Sequence, residues 1–311
     1  MIPHSGHAAA RRDIAADITA KIIADLERGV MPWKKPWNGD RAGGPPGLPL
    51  RVNGAPYRGV NVVLLWSRAA DAGFRARHWF SFRQALALGA HVRKGEKGES
   101  VVYYGRMQRT RTDRHGDAVE DSVRFLRAYT VFNADQIEGL PQGYAVDEVA
   151  TVSVPPLAEH EAWFASLDIQ RVVTRDQAFY SPGRDVIGMP PIDVFDGADL
   201  YAQTLNHECV HATGARHRVG RDFSRRYGDH AYHVEEICAE LGAAYLGAYL
   251  GLPPGHLHDH TAYIGHWIAL MKRDRRAFFD AAAKAQAAVD WLLIKSGRVA
   301  PEIADTGGEA P

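Results

Sequence analysis

His207 and His211 stand four residues apart in a stretch, 200–214, whose apolar positions recur at helical spacing. On an α-helix that spacing places two imidazoles on one face, one turn apart, with Glu208 beside them. The flanking Tyr201, Leu205, Val210 and Gly214 suit a partly buried helix. Buried His and Glu side chains without partners are costly, so this helix needs a second element that completes a site. Residues 234–250 supply one, an apolar helix (Ile237, Leu241, Ala244, Tyr245) that carries Glu235, Glu236 and Glu240. Glu236 is assigned as the third ligand to a metal ion, with Glu235 the runner-up and Asp222 or Asp229 as further candidates. Glu240, one turn on, is expected to hydrogen-bond the far nitrogen of a ligating histidine and fix its tautomer. Two imidazoles and a carboxylate suit Zn2+, with Mn2+ or Co2+ as alternatives.

Such a set can also do chemistry. Glu208 is placed to act as general base on a metal-bound water, the arrangement of a zinc-dependent metallopeptidase of the His-Glu-x-x-His class. Tyr263 and His260 are the candidate donors to a developing oxyanion. Cys209 and Cys238 read as small packing residues. With only these two cysteines in 311 residues there is no disulfide scaffold, and a cytoplasmic location is expected. No apolar run is long enough for a spanning helix, and no membrane partner is expected.

The net charge is zero but unevenly spread. Residues 1–135 carry 22 Lys and Arg against 13 Asp and Glu, and the remainder carries 15 against 24. The basic half can attract a polyanion; the acidic half is too weakly charged to imitate one. The basic half also interleaves cations with aromatics, the mixture by which single-strand binders track phosphates and stack bases. The candidate DNA contacts are Trp33, Lys34, Lys35, Trp37, Arg58, Asn61, Arg77, Arg93, Lys94 and Lys97. Trp66, Phe82 and Trp79 are assigned to the core.

These patterns imply an α+β chain. Residues 1–12 form a tail, 13–135 a small α+β single-stranded-DNA-binding domain, 136–158 a linker and 159–296 a mostly helical domain with a short sheet. Residues 297–311 form a second tail. Within the first domain, helices are expected over 13–29, 59–72 and 81–88. Two strands follow, at 100–104 and 125–133, joined by a long polar loop at 106–117. In the second domain, 185–189 is extended and 261–295 is one long amphipathic helix.

Taken in order, several stretches resemble one family. They include PWKKPW at 32–37, YRGVNVVLLW at 57–66, WFSFRQALALGAHVRKGEKG at 79–98 and FLRAYTVFNADQIEGLP at 125–141. YAQTLNHECVHATG follows at 201–214, YHVEEICAELGAAYLG at 232–247 and AYIGHWIALMKRD at 262–274. Over nearly its whole length the chain resembles the plasmid-associated antirestriction proteins of the ArdC type, related to the N-terminal part of TraC-type conjugation primases. The resemblance implies a single-stranded-DNA-binding domain followed by a zincin-like metallopeptidase domain that together protect incoming plasmid DNA from host restriction. It implies His207, Glu208 and His211 as the metal-site helix and an acidic ligand from the EEICAE stretch. It also implies that 185–191 is the edge strand along which a peptide lies, and that a component of the host restriction system could be a protein substrate. The alternative is a non-catalytic single-stranded-DNA-binding protein whose zincin-like domain is structural.

Overall fold

The computed structural model describes residues 13–34, 47–112, 114, 118–144, 157–253 and 261–298. The expected tail at 1–12, nearly all of that at 297–311, and 145–156 of the linker lie outside the described residues, as do Lys35, Trp37 and His260.

The first half is α+β. Helix α1 (Ile14–Glu27) starts where Asp13 accepts a hydrogen bond from the Ala16 amide, 3.1 Å away. Helix α2 (Val60–Ala72) ends at Gly73, whose φ of 69° is the left-handed conformation a helix stop uses. Strand β1 (Trp79–Ser81) leads directly into the short helix α3 (Phe82–Ala87), because Ser81 and Gln84 form a reciprocal capping box. Strand β2 (His91–Val92) comes next. Strands β3 (Glu99–Thr112) and β4 (Ala118–Asn133) form an antiparallel hairpin in register from Glu99 opposite Val131 to Thr112 opposite Ala118. The stretch expected as a polar loop is therefore strand on both sides as far as Thr112 and Ala118. The sequence there, RMQRTRT at 106–112 and AVEDSVR at 118–124, lacks the strict apolar alternation from which a strand is read. Strand β1 adds to the other edge of β4, and β5 (Ile137–Glu138) pairs with β2.

The second half is mostly helical around a three-stranded sheet, in line with the fold class read from the sequence. Helix α4 (Leu157–Ala165) precedes β6 (Gln170–Val173), β7 (Phe179–Ser181) and β8 (Val186–Met189). Strand β8 pairs parallel with β6 and antiparallel with β7, so it is the central strand. The expectation that 185–191 forms an exposed sheet edge is corrected: both sides of β8 are hydrogen-bonded and all four of its residues are buried. Then come α5 (Ala198–Thr213), the single turn α6 (Ser224–Tyr227), α7 (Ala231–Leu250), α8 (Thr261–Arg273) and α9 (Ala277–Lys295). The single helix expected over 261–295 is broken at Asp274, whose carboxylate caps the Arg276 amide at 2.9 Å and whose carbonyl accepts from Ala277. No described helix is long and apolar enough to cross a membrane.

One hydrophobic core runs through both halves. Ile22, Val62, Leu65 and Trp66 belong to the same cluster as Leu241, Tyr245, Ala282 and Leu292. Polar links cross the same boundary. The Tyr245 hydroxyl donates to the Gly59 carbonyl at 2.9 Å, the Gly59 amide donates to Gln286 at 3.1 Å, and Arg58 pairs with Asp290. Helices α5 and α7 lie close because Gly242 faces Val210; a Cβ there would sit 2.7 Å from a Val210 methyl. That approach lets side chains on the two helices share one point in space.

Candidate metal centre

Helix α5 presents His207 and His211, and α7 presents Glu236. His207 Nε2 and His211 Nε2 are 3.1 Å apart, and each lies 3.6 Å from an oxygen of Glu236. One ligand atom from each residue fits within 4.8 Å of the others. The donor set passes a simple fit test. Two imidazole nitrogens and a carboxylate face one another at separations near those of vertices around a single ion at roughly 2 Å. In the chain as described, burial disfavours a charged His207, yet the carboxylates of Glu236, Glu240 and Glu208 outweigh it and push its pKa up to about 9. The same negative field favours a divalent cation.

Each histidine has an acidic partner behind it. His211 Nδ1 is 2.9 Å from Glu235, and Glu235 is gripped by Arg221, whose Nε donates to it at 2.8 Å. Burial would raise the Glu235 carboxyl, but Arg221 and His211 together hold it down at about 2. Arg221 also donates to the Val210 carbonyl (2.6 Å) and the Thr213 hydroxyl (2.5 Å), closing the end of α5. Behind His207, Glu240 brings Oε1 to 3.6 Å from Nδ1, while its other oxygen is 3.1 Å from Lys34 Nζ. Glu235 and Glu236, adjacent in sequence, thus take different places, one behind a histidine and one in the cluster.

The other expected site residues are placed as follows. Glu208 is buried beside the cluster. Tyr263 is half-buried, its ring 6.2 Å from Tyr232. Tyr232 is the residue that sequence reasoning missed. It sits one turn before Glu236, with its ring beside that of Tyr263. Burial, then Tyr263 and Glu236, push that phenol well up. Its i, i+4 spacing from Glu236 was the available signal. Asp222 accepts from the Ser224 amide and hydroxyl at 2.8 and 2.6 Å, and Asp229 is exposed, so neither joins the cluster. Cys209 and Cys238 are fully buried, and burial pushes both thiols up, Cys238 to about 12.

The expectation of a zinc-dependent metallopeptidase is corrected by this arrangement. The groups that converge are His207, His211 and Glu236, two histidines of α5 and a carboxylate of α7, and Glu208 is not one of the three. A candidate metal cluster is present, and a peptidase does not follow from it.

Several of the expected DNA contacts are engaged inside the protein. Trp33 is 3% exposed and packs on Trp267 and Phe278, with ring centroids 6.4 and 5.8 Å away. Lys34 is 5% exposed and pairs with Glu240. Arg58 pairs with Asp290 on α9, and Asn61 exchanges two 2.8 Å hydrogen bonds with the Val102 backbone. These four are corrected from DNA contacts to internal links. Arg77, Arg93, Lys94 and Lys97 are exposed, Arg77 donating to the Leu48 carbonyl and Arg93 pairing with Glu96. Trp66 and Trp79 are core residues, but Phe82 is 52% exposed, against expectation.

Two family descriptions match the chain. Residues 12–132 match the N-terminal domain of anti-restriction factor ArdC, and residues 158–284 match a zincin-like metallopeptidase domain. The chain is 40% identical over 286 residues to the uncharacterized protein y4eC of Sinorhizobium fredii (strain NBRC 101917 / NGR234), covering 90% of this chain and 91% of that one. It is 35% identical over 295 residues to a DNA primase TraC of Escherichia coli, of which it spans 26%. Among solved structures, the metal-free antirestriction ArdC protein from plasmid R388 superposes with a TM-score of 0.79 at 40% identity, over 93% of this chain and all of that one. The Mn(II)-bound structure of the same protein gives 0.75 over 92% of this chain and 98% of that one. With that identity over the full length of a solved relative, and both halves matched in order, the chain belongs to the ArdC-type antirestriction family, with a zincin-like C-terminal domain.

Proposed function

We propose that this protein binds single-stranded DNA through residues 13–135 and protects incoming DNA from restriction, with the metal centre of residues 159–296 serving structure and binding rather than peptide cleavage. The observation that carries the reading is an exposed face on α3 and the turn after β2. Phe82 and Leu86 are each 52% exposed, Arg83 stands between them on the same exposed helix, and Arg93, Lys94 and Lys97 are exposed beyond β2. Helix α3 packs against β2, so these groups share one region of a half that carries the net positive charge. An exposed ring among cations is what stacking on unpaired bases requires, and the cations supply attraction to phosphate. The family membership supports the antirestriction part of the reading.

The ion is inferred to be Zn2+ or Mn2+. Two imidazoles and a carboxylate accept either, and the ArdC relative from R388 has been crystallised with Mn(II). Two free, buried thiols accord with a reducing cytoplasm.

The test is a fluorescence-anisotropy titration of a labelled single-stranded oligonucleotide with the full chain across a salt series. Affinity is expected to fall on added salt with a log–log slope of roughly −0.7 per phosphate neutralised. Phe82→Ala is expected to weaken binding by about 1–3 kcal/mol, the worth of one stacked base. No binding at low salt would overturn the reading, and wild-type affinity in Phe82→Ala would overturn the placement of the site on α3.

A further inference from the structure

The two histidines of the cluster are backed by the same sequence of groups. His211 is followed by Glu235 and then the Arg221 guanidinium; His207 is followed by Glu240 and then the Lys34 ammonium. In each arm a carboxylate faces the imidazole nitrogen turned away from the cluster, and a cation holds the carboxylate. The arms differ in origin. Arg221 comes from the connection that follows α5, within the half that carries the cluster. Lys34 comes from the turn after α1, at the end of the described segment 13–34, in the opposite half of the chain.

Lys34 is built into this position. Its side chain is 6% exposed and that of Glu240 1% exposed, so neither charge is solvated by bulk water. Trp33, the preceding residue, is wedged against Trp267 of α8 and Phe278 of α9 and fixes the turn from which Lys34 extends. A surface lysine recruited by chance would not bring its neighbour into the core. Burying an ammonium beside a carboxylate is favoured only where geometry is closely met, and loss of one partner leaves the other charge uncompensated.

We propose that Lys34 is a positioning residue of the metal centre: it holds the Glu240 carboxylate with one oxygen toward His207 Nδ1, which orients the imidazole for an ion shared with His211 and Glu236. The ion-binding property of the C-terminal half then depends on a residue of the N-terminal half. This rests on the reading of the cluster as a divalent-ion site. Outer partners of metal-ligating histidines act by fixing ring orientation and tautomer, and their removal costs 10–100-fold in metal affinity.

The experiment measures Zn2+ and Mn2+ affinity of the full-length chain by competition with a chromophoric chelator, for the wild type, Lys34→Met, Glu240→Gln and the double variant. Lys34→Met and Glu240→Gln are each expected to weaken binding about 10-fold. The double variant is expected to be no weaker than either single one, because both remove the same arm. Arg58→Met, which breaks a different ion pair between the halves, controls for loosened packing and is expected to leave metal affinity unchanged. Unchanged or tighter affinity in Lys34→Met with an ion-binding wild type overturns the role of Lys34 alone. An equal loss in Arg58→Met, or additive losses in the double variant, also overturns it by assigning the effect to general destabilisation. A wild type that takes up no ion overturns the metal centre and the role together.

Discussion

Glu208, Glu235, Glu236 and Glu240 are the same kind of acid around one pair of histidines, and position around a helix gives them different work. Glu236 faces the point between the imidazoles, while Glu235, one residue and about 100° before it on α7, meets His211 from behind and is held by Arg221. The sequence pointed to Glu236 as the third ligand, with Glu235, Asp222 and Asp229 as alternatives, and Glu236 is the one that joins the cluster. What separates Glu236 from Glu235 is the phase of α7 against α5, which is set by non-local packing that the sequence does not display. The i, i+4 histidine pair was legible because it is a local property of one helix. Lys34 was not, since a lysine in a basic, aromatic-rich stretch reads as surface until the fold shows what Trp33 packs against. Glu208 lies beside the cluster rather than in it. Glu208→Gln is therefore expected to keep ion uptake and to keep protection of unmethylated DNA in a restriction-digest assay. Loss of protection with ion uptake intact would contradict the non-catalytic reading.

At the scale of elements, the site depends on how closely α5 approaches α7. Gly242 is what permits the approach, since a Cβ there would fall 2.7 Å from a Val210 methyl and the neighbour would have to shift. Gly242→Val is expected to destabilise the fold by about 1–3 kcal/mol through overpacking. It should also weaken metal binding, because Glu236 is carried on the displaced helix. A lowered thermal midpoint with undiminished metal affinity would show that the cluster does not depend on this contact. The first helix was readable because apolar periodicity and a cap at Asp13 coincide there. The β3–β4 ribbon was read short, because its outer part is held by backbone pairing and lacks the side-chain alternation that announces a half-buried strand. The break between α8 and α9 was missed because the apolar period continues across it and only the capping at Asp274 marks it.

At the scale of the molecule, the charge division between the halves was visible in the sequence, whereas their shared core was not. The core joins α1 and α2 to α7 and α9, and the contacts from Lys34 to Glu240, Gly59 to Tyr245 and Arg58 to Asp290 span the same boundary. An ion held by α5 and α7 therefore stabilises a structure to which both halves contribute. Ligand binding to the native state alone raises stability by about 2.7 kcal/mol at a hundredfold excess over Kd.

The central claim is that His207, His211 and Glu236 form one ion site supported from both halves. Its most direct measurement is calorimetric titration of the metal-free full-length chain with Zn2+, followed by thermal unfolding of the loaded protein. One ion per chain is predicted, with a rise in the midpoint of a single transition reported alike by probes in both halves, and with uptake abolished in His211→Ala. Uptake that survives His211→Ala, or an ion that stabilises one half while the other melts independently at its metal-free midpoint, would contradict the account.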